Sequence, residues 1–196
     1  MIFNGAIFKS EYDDKQESIL IPVNLANVAT VVRNAASMEM MGFELELMYQ
    51  ISQAWDLMVN YGYLEAEYKD YLADLNGDNV ITDNSGLIPR NTPENTFGIT
   101  TSYTTQIGDG ELKGRLSYRF RDEMNTDSSN NPLGDLDSIE NVNATISYSL
   151  ENYSVSVWGR NLTDEREQRW ATIGGLTSRG WWNEPATLGI TFSASF

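Results

Sequence analysis

The sequence of 196 residues contains no cysteine and no histidine. Their absence excludes disulfides, thiol nucleophiles, histidine-based catalytic triads and the usual zinc sites built on these residues. Basic residues are also scarce, because 13 Lys and Arg stand against 28 Asp and Glu and give a formal net charge of −15. Since so acidic a surface repels phosphate groups, we expect no nucleic-acid partner.

Long apolar runs are missing as well. No stretch approaches the roughly 18 consecutive apolar residues of a transmembrane helix. The first residues, MIFNGAIFKSEYDD, lack the basic, apolar and small-residue segments of a secretory signal. The lack of long apolar runs does not bear on transmembrane β-strands, because their lipid-facing and lumen-facing residues alternate and the hydropathies cancel.

What the sequence does contain is a period-2 alternation of apolar and polar residues along most of its length. Near the end, Leu188, Ile190 and Phe192 alternate with glycine, threonine and serine. Such alternation predicts β-strands, and we expect eight of them, at about residues 2–20, 29–50, 55–70, 96–105, 111–122, 139–150, 153–162 and 185–196. Short connections at about 51–54, 106–110 and 151–152 alternate with long polar connections at about 71–95, 123–138 and 163–184. Short turns on one side and long loops on the other are typical of outer-membrane barrels.

Two kinds of fold produce this alternation: a soluble antiparallel sheet with one wet face, and a transmembrane barrel with a wet lumen. Charged residues in mid-strand (Glu44, Glu46, Arg115, Arg119 and Arg121) and apolar faces rich in aromatic residues near the strand ends favour the barrel. The predicted class is therefore all-β, with antiparallel transmembrane strands. On this interpretation Phe192, Ile146 and Tyr118 contact lipid and not a second sheet, and the two glutamates pair with lumen arginines.

Five stretches, taken in order, connect the chain to a known family. They are Phe8…Tyr12-Asp13-Asp14…Gln16, Arg33-Asn34-Ala35…Gly42-Phe43-Glu44-Leu45-Glu46, Tyr61–Asp70, Pro89…Pro93-Glu94-Asn95-Thr96, and Trp158-Gly159-Arg160-Asn161-Leu162-Thr163-Asp164-Glu165 with Glu184-Pro185…Gly189 and the terminal Phe196. Together they resemble the C-terminal part of the TonB-dependent outer-membrane receptors. Local physics is consistent with two of the choices: Gly42 relieves crowding where a strand must bend, and Asn161 and Asp164 satisfy backbone groups where strand pairing ends.

The resemblance implies that residues 1–196 form the C-terminal part of a 22-stranded barrel, of which they supply about eight strands. The plug domain and the signal peptide are then absent from this chain. The intact receptor would lie in the bacterial outer membrane and take up a scarce, bulky nutrient such as a siderophore-like chelate, cobalamin or a carbohydrate. This chain would supply barrel wall and external loops and perform no bond chemistry.

Several partners follow from the same resemblance. They are outer-membrane lipid and lipopolysaccharide, a small-molecule ligand, and TonB, which would act through the missing plug region. Phe192 and Phe196 resemble the terminal signal that is read by the barrel-assembly machinery. Ala194 departs from that signal, because an aromatic residue is frequent at its position.

The long connection at 71–95 suggests a calcium site as its possible cofactor. Asp74, Asn76 and Asp78 have the 1, 3, 5 spacing of an EF-hand loop, and Thr82 stands at position 9. Positions 6 and 12 lack the glycine and the bidentate acid of that motif, although Asp83 at position 10 offers a further carboxylate. The alternative is a polar loop rich in turn residues.

The connection at 163–184 combines flat rings with guanidinium groups. We predict a ligand-binding surface for a sugar ring or an anionic chelate here, formed by Arg166, Arg169, Trp170, Arg179, Trp181 and Trp182. The alternative is that these tryptophans anchor the protein at the membrane interface.

Two other functions remain open at this stage. The chain could be a complete eight-stranded outer-membrane barrel with a structural or passive-pore role. It could also be an outer-membrane enzyme that uses paired carboxylates, although no spacing in the sequence singles out such a pair.

Overall fold

The computed structural model describes residues 1–24, 27–76, 78–166, 168–174 and 177–196, and most of them lie in antiparallel strands. The strands are β1 (Ile2–Asn24), β2 (Asn27–Ser52), β3 (Trp55–Ala73), β4 (Thr82–Asp83), β5 (Asn95–Ile107), β6 (Gly110–Arg121), β7 (Met124–Asn125), β8 (Asp135–Leu136), β9 (Ile139–Leu150), β10 (Tyr153–Arg160), β11 (Gln168–Gly174), β12 (Thr177–Trp182) and β13 (Thr187–Ala194). A short 3₁₀ helix spans Pro132–Gly134. Within these ranges no helix has the length and hydropathy needed to cross a membrane.

Eight long strands form one sheet in the order β1-β2-β3-β5-β6-β9-β10-β13, and β4 extends the pairing of β3. Short turns join β2 to β3, β5 to β6 and β9 to β10 at one end of this sheet, which we call the turn end. The opposite end, which carries the long connections, is the loop end. Among the described residues β1 and β13 do not pair with each other, so the sheet has two free edges.

The register places the two sets of alternating residues on opposite faces. One row of paired residues contains Leu47, Val59, Ile99, Tyr118 and Val142; it belongs to the apolar face. The next row contains Glu46, Asn60, Gly98, Arg119 and Asn141; it belongs to the polar face. The eight predicted strands and the separation of their faces are confirmed.

The apolar face is bare. Ile190 is 75% exposed, Phe192 67% and Ile146 59%. Within the described part of the chain, the main sheet pairs only strand to neighbouring strand, and no second sheet covers these side chains. A water-soluble sandwich would bury this surface, because apolar area in water is unfavourable by about 25 cal/mol per Å². The result agrees with lipid as the solvent of this face.

Aromatic pairs border the apolar face at two levels. Near the turn end, Trp55 and Tyr103 meet edge to face, with ring centroids 6.5 Å apart. Towards the loop end, Phe43 and Tyr63 stack at 5.6 Å. Trp55 and Tyr63 are eight residues apart on β3, which corresponds to about 27 Å of strand at roughly 3.4 Å per residue. That length matches the apolar band of a transmembrane barrel, about 25 Å tall between its aromatic girdles.

The predicted long loops differ from the structure in their content. They contain the short strands β4, β7 and β8 and the hairpin β11–β12, which the sequence pattern did not reveal because these strands are short or lie within polar segments. The first two strands are also longer than predicted and pair with each other as far as Asn24 and Asn27.

Gly42 is required by close packing, since a Cβ atom there would lie 2.1 Å from the Tyr63 carbonyl oxygen.

Candidate ligand-binding surface at the loop end of the sheet

A buried cluster lies where β1, β2 and β3 extend past the aromatic band. Its core consists of Ala36, Met38, Tyr68, Tyr71 and Ala73, with Leu75 and Leu87 packed against it. Tyr68 and Tyr71 are in contact, with ring centroids 4.5 Å apart. The loop end is thus packed like the interior of a soluble protein, in contrast to the bare apolar face.

Glu17 gives this cluster a buried negative charge, since its side chain is fully buried. Its carboxylate forms ion pairs with Lys15 and, at 3.5 Å, with Nε of Arg90. It also accepts a hydrogen bond of 3.0 Å from the Tyr68 hydroxyl, and the Lys15 ammonium lies 5.3 Å from the centre of the Tyr68 ring. These partners offset the cost of burying a carboxylate. Arg90 reaches Glu17 from the connection after β4, so the contact ties that connection to β1.

Both cluster tyrosines remain neutral. Burial raises the pKa of Tyr68 far above its usual value, and the nearby Glu17 carboxylate raises it further. Burial also raises the pKa of Tyr71. The Tyr68 hydroxyl therefore acts as a donor to Glu17 at any physiological pH.

The connections themselves are joined to one another. Asn130 makes two hydrogen bonds of 2.8 Å with the backbone of Ile88, one to its N–H and one to its carbonyl. The Ser128 hydroxyl donates to the carbonyl of Ser18 on β1 at 3.3 Å. Polar side chains thereby hold the connections at 74–94 and 122–138 together, in an arrangement that no local sequence pattern indicated.

A cavity of about 680 Å³ opens between these two connections and β3. Its apolar wall includes Tyr63, Ile88 and Leu136. Its acidic residues are Glu65, Glu94, Asp122, Glu123, Asp135 and Asp137. The volume falls within the range of small-molecule pockets, although none of these residues was predicted as part of a site.

The calcium prediction receives no geometric support. Asp74, Asn76 and Asp78 lie close together, but their side-chain oxygens accept hydrogen bonds from nearby backbone N–H groups. Thr82 donates to the Ala73 carbonyl at 3.2 Å. The carboxylate of Asp83 accepts from Ser85 N–H, and that backbone bond together with the Ser85 hydroxyl lowers the pKa of Asp83. Among the described residues no three acidic side chains converge as a metal site would require, so calcium stays a prediction.

The predicted arginine and tryptophan surface lies on the β11–β12 hairpin, apart from Arg166, which precedes it. Trp181 and Trp182 on β12 are exposed, as are Arg166 and Arg179. Since successive residues of a strand point to opposite faces, the two tryptophans lie on both sides of the hairpin. Arg169 and Trp170 belong to β11, with side chains outside the described part. The structure therefore leaves their role in binding as a prediction.

Asn161 and Asp164 organise the chain where β10 ends. The Asn161 side chain accepts a hydrogen bond of 3.2 Å from Glu165 N–H and donates bonds of 3.0 Å to the carbonyls of Glu165 and Glu184. Asp164 accepts from Ala186 N–H at 2.9 Å. Both residues have positive φ, 50° and 52°, a conformation that Asn and Asp adopt more readily than most residues. Their predicted function at the end of strand pairing is confirmed.

The charges of the polar face are separated rather than paired. Glu44 and Glu46 share this face as predicted, and Glu46 accepts a hydrogen bond of 3.0 Å from Asn4. Neither forms an ion pair with an arginine among the described side chains, so the expected pairing with lumen arginines stays a prediction. The register explains the separation: Arg121 and Arg119 lie on the same two rows but three strands away, about 14 Å at roughly 4.8 Å per strand.

Solved structures of other proteins share this fold. The chain resembles the ferric yersiniabactin uptake receptor FyuA from Yersinia pestis, with a TM-score of 0.78 and 19% identity over 99% of this chain and 27% of that one. The siderophore receptor PiuA from Acinetobacter baumannii has a TM-score of 0.70 and 20% identity over 98% of this chain and 26% of that one. The ferric-catecholate import receptor Fiu from Escherichia coli K12 has a TM-score of 0.70 and 18% identity over 99% of this chain and 25% of that one. The chain thus spans about a quarter of the length of these proteins.

A comparison with models of protein families identifies the family of this chain. The model of the family described as TonB dependent receptor-like, beta-barrel matches residues 1–162. That range covers the strands from β1 through β10 and the cluster around Glu17. The chain therefore belongs to the TonB-dependent receptor family, and its sheet is part of the family's β-barrel.

Proposed function

We propose that this chain supplies wall and outer loops to an outer-membrane receptor that takes up a ferric siderophore with energy delivered by TonB. The observation that carries the proposal is the fold match, over 98–99% of the chain, to proteins described as siderophore or ferric-chelate receptors. The bare apolar face supports the membrane location, with lipid around it and lipopolysaccharide near the loop end. The chain is then a transport component and not an enzyme.

Ligand contact is assigned to the loop end. There the β11–β12 hairpin displays Trp181, Trp182 and Arg179, whereas the six carboxylates that line the cavity would repel an anionic ligand. Aromatic faces and guanidinium forks suit a bulky chelate that carries rings and acidic oxygens. An iron chelate is preferred to cobalamin or a carbohydrate because the similar structures are iron receptors.

The free edge of β13 supports a role in assembly. Phe192 and Phe196 are both exposed at this edge, where an unpaired strand offers its backbone groups to another strand. We propose that the barrel-assembly machinery recognises this strand. The alternative of a complete eight-stranded barrel finds no support, because β1 and β13 do not pair among the described residues.

The test is uptake of iron-55-labelled siderophores by iron-starved bacteria whose only ferric-siderophore receptor is the one that contains this chain. Uptake should stop when TonB is deleted, whereas surface binding should persist. Replacing both Trp181 and Trp182 by alanine should weaken binding at least twofold, since one of the two rings faces the ligand side of the hairpin and an aromatic contact contributes about 0.5–1.5 kcal/mol.

Trp55→Ala provides the matched control, because Trp55 lies at the turn end, far from the cavity. It should leave the apparent affinity for the labelled siderophore unchanged at equal surface expression. Uptake that continues without TonB, or equal affinity loss in the Trp55 variant, would count against the proposal.

A further inference from the structure

The cavity between β3 and the connections at 74–94 and 122–138, which we call the loop-end cavity, has the size and the mixed lining of a small-molecule site. Its volume is about 680 Å³, within the range of pockets that hold small ligands. Tyr63, Leu64 and Ile88 supply apolar surface, and Ile88 is 61% exposed. An apolar wall that is open to water suits the carbon skeleton of an organic ligand.

Hydrogen bonds between the two connections fix the walls of this cavity. The Asn91 N–H donates to the Asn125 carbonyl at 2.8 Å. The two bonds between Asn130 and the backbone of Ile88 close the same gap. Because the protein's own bonds hold its walls, the cavity is preformed, and a preformed site lowers the ordering cost of binding.

Most of the carboxylates around the cavity are not used by the protein. Asp122 accepts two hydrogen bonds from Asn95, and Asp135 accepts one from the Asn125 side chain. The other four acidic side chains of the lining make no hydrogen bond and no ion pair among the described residues. These four unpartnered carboxylates belong to Glu65, Glu94, Glu123 and Asp137.

Basic side chains are missing from the described lining of the cavity. Two arginines lie within two positions of lining residues, but both are directed to other acceptors. Arg90 contacts the buried Glu17 carboxylate at 3.5 Å, and Arg121 donates to the backbone carbonyl of Asp137 at 3.2 Å. A ligand of this cavity must therefore bring positive charge itself, because an anionic group would be repelled.

The spacing of the carboxylates distinguishes between two kinds of cation. Among the described residues no three acidic side chains converge closely enough to hold a metal ion, whereas a bare calcium or magnesium ion requires about six oxygen ligands around one point. An ammonium group has three donors that form charge-assisted hydrogen bonds with separate carboxylates. Dispersed carboxylates beside an apolar wall thus favour an organic cation.

We propose that the loop-end cavity binds an organic ammonium ligand. Its charged nitrogen lies among the four unpartnered carboxylates, and its carbon skeleton lies on the apolar wall. This binding goes beyond the uptake function proposed above, since it requires neither iron nor TonB. The same chemistry has two sources: an amine arm of the transported chelate, or a free polyamine.

The test compares two probes of nearly equal shape, 4-(trifluoromethyl)benzylammonium and 4-(trifluoromethyl)benzyl alcohol. Each is titrated by fluorine-19 NMR with the purified receptor that contains this chain, in an uncharged detergent at neutral pH and low salt. We expect the ammonium probe to have a dissociation constant at least fivefold lower than that of the alcohol. Raising the salt to about 0.5 M should remove most of this difference, because salt screens exposed charges.

A variant without three of the unpartnered carboxylates locates the binding. Glu94→Gln, Glu123→Gln and Asp137→Asn together should raise the dissociation constant of the ammonium probe at least fivefold and change that of the alcohol less than twofold. The cavity should persist in this variant, because the three carboxylates make no hydrogen bond or ion pair among the described residues.

The control removes the same charge from the opposite end of the sheet. Asp109→Asn, Glu111→Gln and Glu151→Gln, at or beside the short turns, should leave both dissociation constants unchanged. Equal weakening in the two variants would mean that the probe responds to overall charge. That result, or equal affinities of the two probes for the unmodified receptor, would overturn the proposal.

Competition identifies the source of the ammonium group. A ferric trihydroxamate chelate that ends in a primary amine is compared with the same chelate acetylated at that nitrogen, and with the triamine spermidine. Displacement of the probe by the amine-bearing chelate and not by its acetylated form assigns the cavity to an arm of the transported ligand. Displacement by spermidine alone assigns it to a free polyamine.

These outcomes are separate from siderophore uptake. A receptor that binds the ammonium probe as expected but takes up no iron chelate would refute the proposed function alone. Normal uptake without charge-dependent binding of the probe would refute only the ammonium site.

Discussion

The part of the sheet between the two levels of aromatic pairs, the aromatic-bounded band, shares one alternating residue pattern with the loop end of the same strands. The two regions nevertheless bury their side chains differently. In the band, apolar side chains such as Ile146 and Ile190 are more than half exposed. At the loop end, Tyr68, Tyr71 and Leu136 are almost completely buried. The contrast shows that period-2 alternation specifies a two-faced strand but not the medium that each face meets.

The polarity of the two regions follows the same division. In the band, charged groups such as Glu46 and Arg119 occupy the polar face without ion pairs among the described side chains. At the loop end, Glu17 is buried and paired with Lys15 and Arg90. Water in a lumen solvates isolated charges, whereas a packed interior requires partners for them. The loop end is thus packed like the interior of a soluble domain, whereas the band has the two differently solvated faces of a barrel wall.

Breaking the buried cluster should have the largest effect. Tyr71→Ala removes a fully buried ring and should lower the free energy of unfolding of the loop end by about 3–5 kcal/mol. Amide hydrogen exchange should show faster exchange at the loop end of β1–β3, while the aromatic-bounded band keeps its protection. Tyr12→Ala, at a 44% exposed position of β1, is the control and should change exchange little. Similar exchange in both variants would refute a packed loop end.

A charge placed on the apolar face should come next. Ile99→Arg should lower the free energy of unfolding in lipid vesicles by about 2–4 kcal/mol, because Ile99 pairs with Val59, midway along β3 between the aromatic levels of Trp55 and Tyr63. Ile81→Arg is the control, because Ile81 is 70% exposed but lies in the connection at 74–94. Urea titration in vesicles measures both. Equal, small effects would mean that water and not lipid covers Ile99.

The sequence was sufficient for the wall of the receptor because each strand repeats the alternation locally. The eight long strands begin and end within a few residues of their predicted positions, and Glu44 and Glu46 share the expected face. Whether those glutamates meet arginine depends on strand order and register, which alternation does not encode. The short strands within the long connections also lack a repeat long enough to detect.

The loop-end cluster escaped prediction for a related reason. Glu17 and Arg90 are 73 positions apart and meet only because two connections fold back onto β1–β3. Asn130 likewise contacts Ile88 across 42 positions. Such contacts follow from the tertiary arrangement, and no spacing of residue types announces them. The hairpin that carries Trp181 was correctly singled out by composition, although its role in binding stays a prediction.

The boundary between the two regions should be sensitive to Asn161, with the smallest of the three effects. Asn161→Ala removes two side-chain hydrogen bonds to the carbonyls of Glu165 and Glu184, at a cost of about 0.5–1.5 kcal/mol each. The backbone at this position has a positive φ. Alanine adopts this conformation less readily than asparagine, whose side-chain amide can hydrogen-bond locally. Asn161→Asp keeps the acceptor oxygen and should lose less. Urea midpoints of the two variants in vesicles, compared with Thr163→Ala, separate the amide's bonds from general disturbance of the turn. An alanine variant as stable as the wild type would mean that strand pairing alone defines the edge of the band.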